Sequence, residues 1–152
     1  MTLKSRLRAG ELTIGTFQKT PSAMICEVFG RSGLDVICLV AEHAPFDRGD
    51  INDCVLALKA VGKPSLVRIP ANRPDHILNA LDCGADGVLV PHVITGDDAE
   101  SVAANAHFGT GRGYAGSTRS AGYGARSMAE HKRLCAEATV TIAQIEDAEA
   151  LD

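Results

Sequence analysis

The chain has 152 residues, 45% of them hydrophobic and 22% charged, with a net charge of -4 and no block of like charge. That is enough for one domain with a real core, and the mild acidity makes no electrostatic case for nucleic acid, so a small molecule or a protein is the expected partner. No apolar run approaches a membrane span, and the opening MTLKSRLRAGEL is amphipathic without an apolar signal core, so neither insertion nor secretion is expected and a cytoplasmic place follows.

Strand-like apolar runs alternate with helical patterns in chain order. TIGTF at 13–17 comes first, followed by a helix near 22–32, DVICLV at 35–40 and a helix near 49–61. SLVRI at 65–69, a helix near 73–83, GVLVPHV at 87–93 and a helix near 97–107 continue the alternation. The Gly-rich segment GTGRGYAGSTRSAGYG at 109–124 cannot be regular structure and reads as a long functional or mobile loop. A helix near 127–137 and TVTIAQI at 139–145 close the series. Gly33, Gly62 and Gly84 each stand between a helix and the next strand, where left-handed caps are expected. The five cysteines, Cys26, Cys38, Cys54, Cys83 and Cys135, are scattered singly among apolar neighbours and read as reduced core residues.

Strands apolar on both faces and separated by helices call for a parallel sheet, either open and doubly wound or closed as a barrel. No GxGxxG follows the first strand, which argues against a dinucleotide fold; GRGYAG comes late, after a helix. Polar residues recur at strand ends instead: Glu42 and His43, Arg68, His92, and Gln144 with Glu146. In a barrel these ends converge on one face.

Each of these residues has a functional and an ordinary reading. His43 at a strand end is either a general base oriented by a neighbouring carboxylate or the cap of a turn. Arg68, flanked by Val67 and Ile69, needs anionic company if it faces the barrel interior, and a bound carboxylate or enolate would suit it; otherwise it bridges outward to a helix. Gln144 and Glu146 alternate along one strand and offer an amide and a carboxylate to a hard divalent cation. Asp82, at the end of a helix, reads as a solvated surface carboxylate.

Six segments together carry a resemblance. TIGTF, AEHAPFDR, LVRIP, ALDCGADGVLVPHV, RGYAGSTRSAGYG and QIED stand in the order and rough spacing of the HpcH/HpaI aldolase family, and the match covers almost the whole chain. The resemblance implies a (β/α)₈ TIM barrel of the phosphoenolpyruvate/pyruvate superfamily. It also implies a metal-dependent, class II pyruvate aldolase: a carbon-carbon lyase that cleaves or forms 4-hydroxy-2-oxo acids, giving pyruvate and an aldehyde. A divalent cation (magnesium, manganese or cobalt) would chelate the oxo acid. By the same resemblance His43 matches the catalytic base, Arg68 the residue that steadies the enolate, Gln144 a substrate contact and Glu146 a metal ligand. Asp82 matches an acid that raises the basicity of the histidine across a subunit boundary, and full-length members imply a homo-oligomer, a hexamer.

Two departures from the family pattern shape the expectation. Val40 stands where an Asp is often found, in a DxEH arrangement, which removes one carboxylate near His43 and Arg68. A barrel of this type needs about 250 residues. Residues 1–152 therefore read as a single partial domain with about the first five βα units, and the family's second metal ligand, an Asp in a GPxDL-like motif, has no counterpart among them. Weak metal binding and little turnover are expected of such a chain. The rival readings are a citrate lyase β-like metal-dependent lyase, against which AEHAPFDR argues, and a non-catalytic barrel remnant that binds a partner subunit through its strand edge.

Overall fold

A computed structural model describes residues 1–151. The elements follow the order α1 (Leu3–Arg8), β1 (Gly15–Gln18), α2 (Ala23–Gly30), β2 (Val36–Val40), α3 (Arg48–Ala60), β3 (Ser65–Arg68), α4 (Pro74–Asp82), β4 (Gly87–Val90), α5 (Gly96–Ala106), α6 (Met128–Ala138) and β5 (Val140–Ala143), with a 3₁₀ turn at Ala148–Leu151. Local chemistry explains several starts. Asp47 and Asp50 form a reciprocal capping box that opens α3, Thr95 and Asp98 do the same for α5, and Pro74 begins α4 where no intrahelical donor is needed. Among the described residues no helix is long and apolar enough to cross a membrane.

The five strands form one parallel sheet in the order β1-β2-β3-β4-β5. A doubly wound sheet reverses its strand order at a switch point, and this one never does. Each crossover therefore returns to the same face. The packing agrees: Ile37, Leu39, Val67, Ile69, Val88 and Val90 share one buried cluster with side chains from α2, α3, α4 and α5. The opposite side chains, Val36, Cys38, Leu66 and Val140 with Leu89 and Ile142, form a smaller inner cluster closed below by Leu3 of α1. Burying one such aliphatic side chain contributes about 1.5–3 kcal/mol, so the fully buried helix-facing layer supplies most of the stability. Phe17, on the inner face of the edge strand, stays exposed.

The sequence reading located every strand and helix except α1, taken only as an amphipathic opening. Gly62 and Gly84 adopt the expected left-handed conformation, with φ of 69° and 94°, whereas Gly33 does not. The reason is that α2 ends earlier, at Gly30, where a side chain would collide with Val61 at 2.2 Å. All five cysteines are free; burial pushes the Cys38 thiol up to about 12, which keeps it protonated on the inner face.

Residues 109–124 contain turns, and the segment is pinned. Ser120 N–H donates to Asp82 O, and Arg119 Nη1 donates to the carbonyls of Asn52 and Cys83 at 2.7 and 3.1 Å. Arg112 Nη2 donates to Asp82 Oδ1 at 3.1 Å, with side-chain exposures of only 1% and 11%. The surface reading of Asp82 is thus corrected: the loop folds back over α4 and buries the carboxylate under a guanidinium. That guanidinium also lies 4.4 Å from the Phe108 ring, beside a His131 that burial holds below the ordinary histidine range.

Candidate functional site

The strands deliver their polar ends to one mouth because the ladders continue just past them. Ala41 N–H donates to Arg68 O at 2.9 Å, Ile69 N–H to Leu89 O at 3.1 Å, and Gln144 N–H to Val90 O at 2.8 Å. Along β3, Leu66 faces inward, so Arg68 two residues later does as well. Gln144 continues the inward parity of Val140 and Ile142 in the same way.

Arg68 is the hub. Its Nη2 lies 2.8 Å from Glu42 Oε2 and 3.2 Å from Glu146 Oε2, with side-chain exposures of 13% for Arg68 and 9% for Glu42. Gln144 Nε2 donates to Glu146 Oε2 at 2.6 Å, so the amide and the carboxylate are held together. Glu42 then reaches outward: its Oε1 lies 3.4 Å from His43 Nε2 and 3.4 Å from His92 Nε2. Both imidazoles are more than half exposed, which sets two solvent-facing bases around one buried carboxylate.

His92 sits in the left-handed region with φ of 53°, a conformation that costs a non-glycine residue of order 1–3 kcal/mol and persists where surroundings over-determine it. What it gains is visible. Its N–H donates to Glu146 Oε1 at 3.3 Å, and its Nδ1 lies 2.9 Å from Asp147 Oδ2. The Asp147 hydrogen bond raises His92 above the ordinary histidine value, and the charges of Asp147, Glu146 and Glu42 add to it.

Three polar atoms at this mouth are buried without a hydrogen-bond partner: Glu42 Oε2, Arg68 Nε and Gln144 Oε1. The Glu42 oxygen is close enough to Arg68 for an ion pair, yet the two are not aligned for a hydrogen bond. Unsatisfied buried groups are uncommon, and these three leave one donor and two acceptors free for a further polar group. Among the described residues, no set of three His, Cys, Asp or Glu side chains is arranged to hold a metal by itself. The oxygen donors of Glu146 and Gln144 suit a hard divalent cation that takes its remaining ligands from a bound molecule and water.

The structure therefore brings His43, Arg68, Gln144 and Glu146 together and leaves Asp82 out. Asp82 ends α4, next to Asp86, whose N–H bonds the first residue of β3; it lies at the opposite end of the sheet from the mouth. His92 was noted in the sequence only as a polar strand end, and Asp147 only as the last letter of QIED. No periodic pattern marks either one, because each depends on the turn that follows its strand.

A family model described as HpcH/HpaI aldolase/citrate lyase matches residues 13–152. The chain belongs to this family. A hydroxypyruvate/pyruvate aldolase from Paraburkholderia phytofirmans is 30% identical over 157 residues, which cover 98% of this chain and 60% of that protein. A 5-keto-4-deoxy-D-glucarate aldolase from Escherichia coli is 33% identical over 105 residues, covering 69% of this chain and 41% of the other. The crystal structure of an HpcH/HpaI aldolase/citrate lyase family protein from Burkholderia cenocepacia superposes with a TM-score of 0.91 at 33% identity, over 99% of this chain and 61% of that one. The chain thus spans about 60% or less of the length of these relatives. The HpcH/HpaI sheet seen here, five parallel strands in sequential order, is part of the wall of a TIM barrel.

Proposed function

We propose that the mouth formed by Glu42, His43, Arg68, Gln144 and Glu146 is the active site of a metal-dependent pyruvate aldolase that cleaves or forms 4-hydroxy-2-oxo acids. The cluster of unpartnered buried atoms at Glu42, Arg68 and Gln144 carries this reading, since an oxo acid and a cation bring the donors and acceptors those atoms lack. Glu146 would hold magnesium, manganese or cobalt with the neighbouring Gln144 amide as a contact for the oxo acid, and such an ion, when bound, supplies Lewis acidity toward the oxo-acid oxygens. Arg68 stabilises the negative charge that develops when the carbon-carbon bond breaks, from a position walled by Leu66 and Leu89. His43 takes the proton of the 4-hydroxyl group, with its ring oriented by Glu42. Asp82 belongs to the same reading as an acid that serves the histidine of a neighbouring subunit in a homo-oligomer, working in the cytoplasm. Exposed Ile14 and Phe17 at one sheet edge and Ile145 beyond the other are surfaces that another polypeptide would cover. A monodisperse monomer by light scattering would count against the oligomer.

Calorimetry with manganese and pyruvate tests the site. Manganese alone is expected to bind weakly, because one carboxylate and one neutral amide supply little charge, and pyruvate is expected to tighten it by chelation. Glu146→Gln should weaken manganese binding roughly 10-fold or more. No enhancement by pyruvate, together with unchanged binding in Glu146→Gln, would sink the assignment. A pyruvate-release assay on a 4-hydroxy-2-oxo acid, with His43→Ala as the slowed variant, tests the chemistry separately.

A further inference from the structure

His92 is the residue at this mouth whose backbone is strained, and its strain is coupled to two separate contacts. A residue in the ordinary extended region at position 92 would keep the same N–H but carry its side chain in another direction. The N–H, whose direction the preceding residue sets, donates to Glu146 Oε1 at 3.3 Å, and the left-handed φ swings the imidazole across the mouth. There the ring bridges Asp147 Oδ2 at 2.9 Å and Glu42 Oε1 at 3.4 Å. One residue thus touches the carboxylates that flank Arg68 on both sides. Arg68 Nη2 donates to both Glu146 oxygens, at 3.3 and 3.2 Å, but its contact with Glu42 lacks hydrogen-bond alignment, so Glu42 is the carboxylate that needs a second hold.

We propose that His92 is a positioning residue: its backbone N–H helps fix the Glu146 carboxylate while its ring, swung into place by the left-handed φ and anchored on Asp147, fixes Glu42, and together they set the spacing of the two carboxylates around Arg68. This rests on the active-site reading above. His92 does not act on the reacting atoms; it acts through Glu146 and Glu42. Asp147 serves as the anchor that lets the imidazole span the gap, which explains why two acidic residues stand side by side after β5. A purely structural turn would need the backbone conformation and have no use for the imidazole.

Three variants separate backbone from ring. His92→Gly keeps the N–H, relieves the left-handed strain and deletes the ring; His92→Asn keeps a side chain that tolerates this conformation and can still hydrogen-bond; His92→Ala deletes the ring and keeps the strain. In the metal-free 152-residue chain, the side-chain carboxyl ¹³C resonances of Glu42 and Glu146 are expected to move in His92→Gly and to stay nearer wild type in His92→Asn. Manganese alone should bind roughly 10-fold more weakly to His92→Gly, the loss usual when a residue supporting a ligand is removed, with partial recovery in His92→Asn. The melting temperature of His92→Gly should not fall in step with that loss, whereas a merely structural role would lower both together. Unmoved Glu42 and Glu146 resonances in His92→Gly would overturn the proposal, as would manganese affinity equal to wild type in all three variants. If the wild-type chain binds no manganese, the metal reading of the site fails, and the metal-free resonances alone decide the role of His92.

Discussion

Arg68→Ala is expected to lose oxo-acid binding and to cut any turnover by about 10²–10³-fold, the usual cost of removing a group that stabilises developing charge. The same change should destabilise the fold. Arg68 lies between Glu42 and Glu146, and deleting one partner from a largely buried ion-pair cluster costs about 3–5 kcal/mol because the remaining charges stay buried and uncompensated. Arg68→Lys separates the two effects. It retains the charge and should recover much of the stability, since one nitrogen, Nη2, makes both carboxylate contacts, but it lacks the unpartnered Nε and the planar fork that suit a bound carboxylate, so oxo-acid binding should stay impaired. Pyruvate titration and thermal melts on the same samples would check this; an Arg68→Ala protein that melts and binds like wild type would remove Arg68 from both roles.

The second large effect is expected far from the mouth. Arg112→Ala should destabilise the chain by about 3–5 kcal/mol, because it strands the Asp82 carboxylate beneath the loop and also removes the cation from the Phe108 ring. For a chain of this size, that corresponds to a drop in melting temperature of roughly 10 °C. The loss should be local as well as global. Amide exchange at Ser120, whose N–H is bonded to Asp82 O, should accelerate ahead of the sheet. Replacing both partners by apolar residues, as in Arg112→Met with Asp82→Leu, should recover part of the loss, since no buried charge is then left alone. If Arg112→Ala melts within a degree of wild type, the ion pair does not hold the loop.

How far each feature could be read from the sequence follows from how local its cause is. Strands and helices were legible because their signals are short-range: VICLV has no polar interruption, and Gly62 and Gly84 stand where left-handed caps are needed. The direction of Arg68 stayed open between the barrel interior and an outward bridge, and the structure turns it inward because its neighbours Val67 and Ile69 belong to the helix-facing layer and side chains alternate along a strand. Gly33 misled because α2 ends at Gly30, packed against Val61, more than thirty residues away and just past the end of a different helix.

The amino-acid sequence by itself determined the βα alternation and the presence of an arginine, acids, an amide and histidines at or near the ends of strands. Only the tertiary structure decided which of them meet. Glu42, Arg68 and Glu146 lie on three different strand ends and share one guanidinium because the strands are laid down in sequential order, which no local pattern encodes. Asp82, read as a surface carboxylate, is largely covered because a glycine-rich segment carrying Arg112 folds back over it. His92 enters the site through one left-handed residue, a conformation disfavoured by its own side chain and held in place by contacts with Glu146, Asp147 and Glu42 that exist only once the sheet has formed.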